Sequence, residues 1–392
     1  MGTSTLTTLE NALKTYYRPA IIPQLDNGSG PMFAALRKTA EFVVGNKFKF
    51  GLEYGRSGGI GARGEYDDLP TPSARKYAQA EAETKTLASR FAITDKVLKT
   101  TKDNRAAFVD QVTRQMDNLV IDGNDMLRRM MVGTSTGQMG TVSADVTTAK
   151  VVTVVGTIEA FYPGQLVDIL TDADTKSVDG KEIVDVDYDN STITFGENVT
   201  VTADQIICLA GDYGKEMTGL KDIMTATTIY GINRTNNKWF SPTVYDKYSG
   251  GVAQDLDSLW MQTAIDQIKK RTGEKPNFIV CNDGVKRAYL DEQNAYKHNI
   301  DFKDVDGGYR LIAYDDVPIT DEKYMDAEIM DFIALKEFIL GRLGDWDWMD
   351  DDGAIMHRIN NKTAYEGTMV MYADLLCMKP ASNARIKGIK EY

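Results

Sequence analysis

One stretch of the chain has the spacing of a phosphate-binding loop: Gly59-Ile60-Gly61-Ala62-Arg63-Gly64, a G-x-G-x-x-G. A dinucleotide loop of that kind needs a helix N-terminus directly behind it to receive the pyrophosphate. Here Glu65 to Pro72 (EYDDLPTP) follows, which cannot be that helix. The stretch therefore reads as a glycine-rich loop tip. Asp345, Asp347, Asp350, Asp351 and Asp352 gather in GDWDWMDDDG. Oxygen-rich clusters can hold calcium, but the spacing misses the EF-hand pattern and no glutamate closes the loop. The stretch beginning at Asp172 (DADTKSVDG) fails the same test. Both read as solvated acidic turns, and Trp346 and Trp348, alternating with aspartates, suggest a strand with one buried face. His298 (AYKHN) and His357 (IMHRI) have no partner placed for nucleophilic catalysis or zinc. Cys208, Cys281 and Cys377 stand apart in apolar contexts, as buried thiols of a reducing compartment do. The expectation is no catalytic residue, no metal and no cofactor, and so not an enzyme.

The elements that would position such residues fit a globular protein of two or three domains: 392 residues, 42% hydrophobic and 26% charged. A net charge of −12 argues against a dedicated nucleic-acid binder, which carries a basic field. The charge is uneven. Val142 to Asp212 holds 13 Asp/Glu and 3 Lys, a net −10, whereas Met1 to Ile60 holds 7 Lys/Arg and 4 Asp/Glu, a net +3. No basic-then-apolar leader and no run long enough to span a bilayer is seen, so a soluble, unsecreted protein is expected.

In chain order, Thr5 to Tyr17 reads as a short amphipathic helix with Leu6, Leu9 and Leu13 on one face. A second helix is expected from Pro31 to Phe42. Phe48, Phe50 and Leu52 alternate with Lys47, Lys49 and Gly51, which is strand periodicity. Gly55 to Gly64 holds five glycines in ten residues. Gln79 to Thr86 reads as helix by propensity and as an exposed strand by alternation. From Asp103 to Gly140 apolar residues recur at helical spacing, including Phe108, Val112, Met116, Leu127, Met130 and Met131. A helix from Asn104 to Val132 would be roughly 43 Å long, with Asp103 as N-cap and Gly133 as stop. Lys150 to Ala210 is a series of short strands and turns, suggesting a small barrel or meander of roughly 60 residues. From Met217 the pattern is α/β. A helix over DLDSLWMQTAIDQIKKRTG would bury Leu256, Leu259, Trp260, Ala264 and Ile268 and stop at Gly273. NFIVCN is a buried strand and DGVKRAYLDEQ a helix, with more strands after them. The C-terminal run alternates as a pair of strands expected beside the long helix.

A long helix ending in GTSTGQMG with a β-rich segment behind it resembles the spine helix of tailed-phage major capsid proteins of the Hong Kong 97 type. The resemblance spans nearly the whole chain. It rests also on Met217-Thr218-Gly219-Leu220, Trp239, Pro276 to Asn282 (PNFIVCN), Gly307-Gly308-Tyr309 before LIAYDDVPI, and the final Tyr365, Tyr372 and Leu376 run. What the resemblance implies is an α+β fold. It would have an N-terminal arm (1–45), an extended two-stranded E-loop (46–93), a peripheral domain with the spine helix (94–140 and 354–392), an inserted β-barrel-like domain (141–213) and an axial α/β domain (214–353). It decides residues 79–86 in favour of a strand. Some members crosslink subunits through a Lys and an Asn side chain, but no local pattern here selects such a pair.

The function implied is that of a major coat protein. It would assemble as hexamers and pentamers into an icosahedral virion shell around double-stranded DNA, without sequence-specific or membrane binding, in the host bacterial cytoplasm. Inter-subunit contacts are expected at the E-loop tip (Gly55, Arg56, Gly58, Gly59, Gly61, Arg63, Gly64) and on the arm (Leu6, Leu9, Leu13, Tyr16, Tyr17). No long coiled coil precedes the arm, so a separate scaffolding protein is expected, with a portal and a place for a decoration protein. The acidic insertion should face outward, because unpaired carboxylates resist burial between subunits. An encapsulin-like storage shell is the alternative on the same fold. A soluble α/β enzyme is the alternative of another class, and it predicts a compact monomer with a pocket.

Overall fold

The computed structural model describes residues 31–32, 35–96, 119, 121–171, 175–296, 301–305, 309–350 and 355–392. The arm residues Leu6, Leu9, Leu13, Tyr16 and Tyr17 lie outside this set, as do His298, Asp172, Asp351, Asp352 and nearly all of the expected spine helix before residue 121. Residues 121–132 are helical, and Gly133 N–H closes that helix on the Arg129 carbonyl at 2.9 Å.

The body is built on the strand Ala364–Cys377. Its alternation puts Met369, Met371, Ala373 and Leu375 in the core. Lys85–Thr94 runs antiparallel along one edge for ten residues, from Ala364↔Thr94 to Ala373↔Lys85. Phe338–Arg342, Asp347–Trp348 and Met356–Arg358 pair with it in succession. Gly367 lies opposite Phe91, whose ring covers it so closely that a Cβ would collide. Phe91 in turn meets Trp348 edge-on at 5.9 Å. Trp346 and Trp348 are both buried while Asp345 and Asp347 face out, as their alternation implies. Arg37–Thr39, expected as helix, is instead a strand parallel to Phe338–Arg342. Its backbone finds a sheet edge, and that pairing overrides local propensity.

A seven-stranded sheet follows, in the order Thr243–Asp246, Ala384–Lys387, Ile329–Ile333, Phe278–Cys281, Val317–Asp321, Tyr309–Tyr314, Asp301–Val305. The helix Ser258–Thr272 packs on it through Met261, Ala264, Ile265 and Ile268. Asp257 caps it by accepting from Leu259 N–H at 2.8 Å, and Gly273 ends it in the left-handed region at φ 79°. Leu259, expected in the core, is 66% exposed, because it stands two residues, or about 200°, from Met261 on the helix. Ala384–Lys387, expected in the peripheral domain, lies instead in this sheet. The reason is a buried bidentate pair across the strands. Arg385 donates from Nε and an Nη to the two Asp331 oxygens at 2.7 and 2.6 Å.

The third unit is a closed six-stranded barrel made of Gly140–Val142, Val146–Gly156, Leu166–Leu170, Lys176–Asp187, Thr192–Val201 and Ile206–Leu209. Val152, Val167, Ile169, Ile183, Ile193, Phe195 and Ile207 fill it. Lys176–Gly180, read as turn, opens the fourth strand. The buried Asp168 draws these strands together, accepting from Gly180 N–H at 2.7 Å, Gly211 N–H at 2.9 Å and Lys176 Nζ at 2.7 Å.

The barrel's exit runs straight into the spine helix end. Gly214 N–H donates to Thr136 O at 3.0 Å. The segment Met217-Thr218-Gly219-Leu220 then crosses the helix terminus and starts the helix Leu220–Thr225. A Cβ on Gly219 would collide with the carbonyl oxygens of Gly133 and Met130. Gly219→Ala must therefore push two backbones apart, a strain of about 3 kcal/mol. Thermal unfolding should show a drop of that size, whereas Gly344→Ala, with open space around it, should stay near wild type. Equal stability of the two variants would contradict this packing.

Candidate assembly interface

The strands Lys47–Gly55 and Lys76–Glu83 form a hairpin, in register from Lys47↔Glu83 to Gly55↔Lys76. One face of its base is apolar and buried: Phe48, Phe50, Ala80 and Ala82. The other carries Lys47 and Lys49, whose ammonium groups stand 3.6 and 3.1 Å from the Glu81 carboxylate. The Phe48 ring lies on Gly341, leaving no room for a side chain there. Tyr230, held at φ 50°, joins hairpin to body. Its carbonyl accepts from Glu81 N–H at 3.0 Å, and its ring meets Phe50 at 5.6 Å. Its hydroxyl donates to Leu375 O at 2.7 Å and accepts from Cys377 N–H at 3.1 Å, just past the end of the Lys85–Thr94 pairing. Burial raises this phenol well above its ordinary range, so it stays a neutral donor.

Farther out, Tyr54 stacks on Trp239 at 4.5 Å over a groove of about 740 Å³. The residues named from sequence sit where the hairpin turns. Gly55 ends the first strand, and Arg56, Gly58, Gly59, Gly61, Arg63 and Gly64 follow in an irregular tip. Gly58 N–H donates to Ser73 Oγ at 2.9 Å, Gly64 N–H to Asp67 Oδ2 at 2.7 Å, and Arg63 Nε to Asp68 O at 2.9 Å. Residues 65–75 are turns and extended chain, so no helix stands behind Gly64 to receive a phosphate. Sequence reasoning missed three residues here: Ile60, Tyr66 and Leu69 are 88%, 102% and 86% exposed. Contiguous exposed apolar patches mark interaction sites, and these three are the most exposed large apolar side chains of the chain's described residues. Their signal was legible, since they are the bulky apolar residues of a glycine- and proline-rich run.

The body beneath is held by a polar seam at the spine helix end. Arg128 donates to Glu322 at 2.8 Å, Arg129 pairs with Glu216, and Asp125 accepts from the Tyr324 hydroxyl. Glu322 is pushed up to about 7 by burial, against the pull of Arg128. Asp374, on the strand Ala364–Cys377, accepts from Thr218 N–H at 2.7 Å and from Leu375 N–H at 3.0 Å. Burial outweighs these donors and raises it to about 7. All three cysteines are buried free thiols. No group of three or more His, Cys, Asp or Glu side chains placed to hold a metal occurs among the described residues.

No family model matches the sequence, and no curated protein matches it. Solved structures do. The capsid asymmetric unit of cyanophage A-1(L) is similar with a TM-score of 0.58 at 11% identity, over 92% of this chain and 92% of that one. The chain has the Hong Kong 97-type fold. The capsid of a native GTA particle (TM-score 0.49, 10% identity, 93% of this chain and 90% of that one) is also similar. So is the holo-SrpI encapsulin complex from Synechococcus elongatus PCC 7942 (0.46, 9% identity, 100% and 97%). These lower scores add nothing to the conclusion. In the Hong Kong 97-type fold the residues that carried the sequence resemblance have physical work. Gly219 seats on the spine helix end. Trp239 supports the hairpin. Asn277 Oδ1 accepts from Leu335 N–H at 2.7 Å, and Asn282 Oδ1 caps the helix Asp283–Tyr296 through Val285 N–H at 2.9 Å.

Asp374 makes stability depend on pH with a defined sign. Its folded value, about 7, lies above that of an unfolded aspartate. The native chain therefore holds a proton that the unfolded chain releases, so this stabilisation is full below about pH 4 and is lost as pH rises through 7. Asp374→Asn keeps an acceptor for Thr218 and cannot ionise. Above pH 7 the variant should melt higher than wild type, by at most ~4 kcal/mol of stability. Its slope between pH 4 and 7 should shrink, leaving the part that belongs to Glu322. A wild-type slope would contradict the assignment.

Proposed function

We propose that this chain is the major capsid subunit of a tailed, double-stranded-DNA phage, building an icosahedral shell from hexamers and pentamers. One observation carries the reading. A Hong Kong 97-type body projects an E-loop whose tip bears Ile60, Tyr66 and Leu69 exposed, with no described residue of the chain over them. The similar cyanophage chain is a capsid subunit, which supports the same role here. The work is assembly geometry and not catalysis: the E-loop and the arm lie across neighbouring copies. A chain of net charge −12 encloses DNA without adhering to it. Shell size is set with a separate scaffolding protein, a portal occupies one vertex, and a decoration protein can add to the outside. Assembly takes place in the host bacterial cytoplasm, and the barrel faces outward. An encapsulin-like shell would use the same body; portal and terminase genes beside this one separate the two.

The tip is the place to test it. Replacing Ile60, Tyr66 and Leu69 together by Ser should shift stability by no more than about 0.5 kcal/mol, because the positions are exposed. Negative-stain images of the variant should show free subunits or open fragments where wild type, with its scaffolding protein, gives closed shells. Closed shells at wild-type yield would sink the role given to the tip.

A further inference from the structure

The chain carries two unmatched charged faces that fit each other only between copies. The first is the groove under the E-loop root, where Arg56, Arg271 and Lys379 surround the Tyr54–Trp239 stack. Arg271 spends its hydrogen bonds on neutral acceptors, Thr243 Oγ1 at 3.0 Å and Lys238 O at 3.1 Å. Arg56 and Lys379 make no ion pair among the described residues, and Glu274, whose carboxylate feels Lys379, is held by Lys336. Of the two acids lining the groove, Glu53 is taken by Arg75, which leaves Glu337.

The second face is the outside of the barrel strand Lys176–Asp187. A register shift against Thr192–Val201 lies here, between Asp185↔Thr194 and Ile183↔Phe195. It turns two consecutive residues, Val184 and Asp185, outward between the buried Ile183 and Val186. Bulges re-aim side chains in this way and recur at working edges of sheets. Glu182 faces out beside them. No ion pair neutralises this face among the described residues, and the barrel's third lysine, Lys150, acts on Glu197. Lys176 is held by Asp168 and Asp179, and Lys181 by Glu197. Among the described residues, no ion pair joins Glu182 or Asp185 to the groove of the same copy.

We propose that the groove at the E-loop root receives the bulged barrel strand of a second copy. Glu182 and Asp185 meet Arg56, Arg271 and Lys379, and Val184 lies against the Tyr54–Trp239 stack. The inference rests on the shell reading, and it gives the barrel a partner within the shell. It also answers the cost of burying carboxylates between subunits, since cations outside any ion pair await them. The contact joins different surfaces of the two copies, so it propagates around a ring and closes where the rotation closes. Duplex DNA would satisfy the cations alone and leave Val184 uncovered.

Three variants test it in the full chain: Arg56→Glu with Lys379→Glu, Glu182→Lys with Asp185→Lys, and all four together. Each pair should reduce closed shells at least tenfold at unchanged melting temperature, and the fourfold variant should recover half or more of the wild-type yield. Fourfold shells no better than either pair, or normal shells from either pair, would overturn the proposal. Groove variants that lose only encapsidated DNA would assign the groove to DNA instead. A second measurement stands apart from shell formation. Glu182→Cys chains mixed with Lys379→Cys chains should give a mixed disulfide dimer under mild oxidant, the native thiols being buried. If wild type makes no shells but the dimer forms, the shell reading fails and the contact survives; no dimer beyond the level of a Glu65→Cys control refutes the contact.

Discussion

Three units of the fold meet at one helix end, and the rest of the architecture depends on that junction. At residues 125–133 the spine helix meets the barrel exit through Glu216, the seven-stranded sheet through Glu322 and Tyr324, and the backbone of Gly219 through direct contact with its terminal carbonyls. Arg129 and Glu216 are both buried there, so removing either leaves a charge without water or counter-ion, a loss of about 3–5 kcal/mol. Glycine at 219 lets the backbones come close enough for those reaches to be met. Asp374 and Thr218 add a neutral or charged link, according to pH, between the same segment and the longest strand.

A rigid junction makes a projecting hairpin useful. The E-loop base is locked by Phe48 on Gly341 and by the three-way contact of Tyr230, whereas the tip is left to its own short hydrogen bonds. The anchored part fixes the direction in which the tip is presented. The uncovered part supplies apolar area, at about 25 cal/mol per Å² removed from water, to whichever surface receives it. Such a division suits the proposed role of a subunit that places copies of itself.

Much of this was legible in the sequence, for reasons that can be named. Strand alternation at Phe48 and Phe50, the cap and stop at Asp257 and Gly273, and the strand series of the barrel follow from local periodicity and capping, which act within a few residues. The GxGxxG stretch was separable from a nucleotide loop because the required helix could not follow it. What was not legible depends on distant partners. Arg37–Thr39 became a strand only because Phe338–Arg342 offers an edge. Ala384–Lys387 left its neighbours for the seven-stranded sheet because Arg385 finds Asp331. The outward turn of Asp185 beside Val184 comes from a register shift that alternation cannot foresee. At the tip, glycine spacing drew the eye, while the residues with most apolar area to cover stood between the glycines.

A cryo-electron microscopy reconstruction of this chain, expressed with a scaffolding protein, tests the proposal that copies of the chain cover this fold. The expected result is closed icosahedral particles in which each E-loop tip is buried against a neighbouring subunit, with density over Ile60, Tyr66 and Leu69. Monodisperse single subunits at high protein concentration, or closed particles whose E-loop tips stand free in solvent, would contradict it.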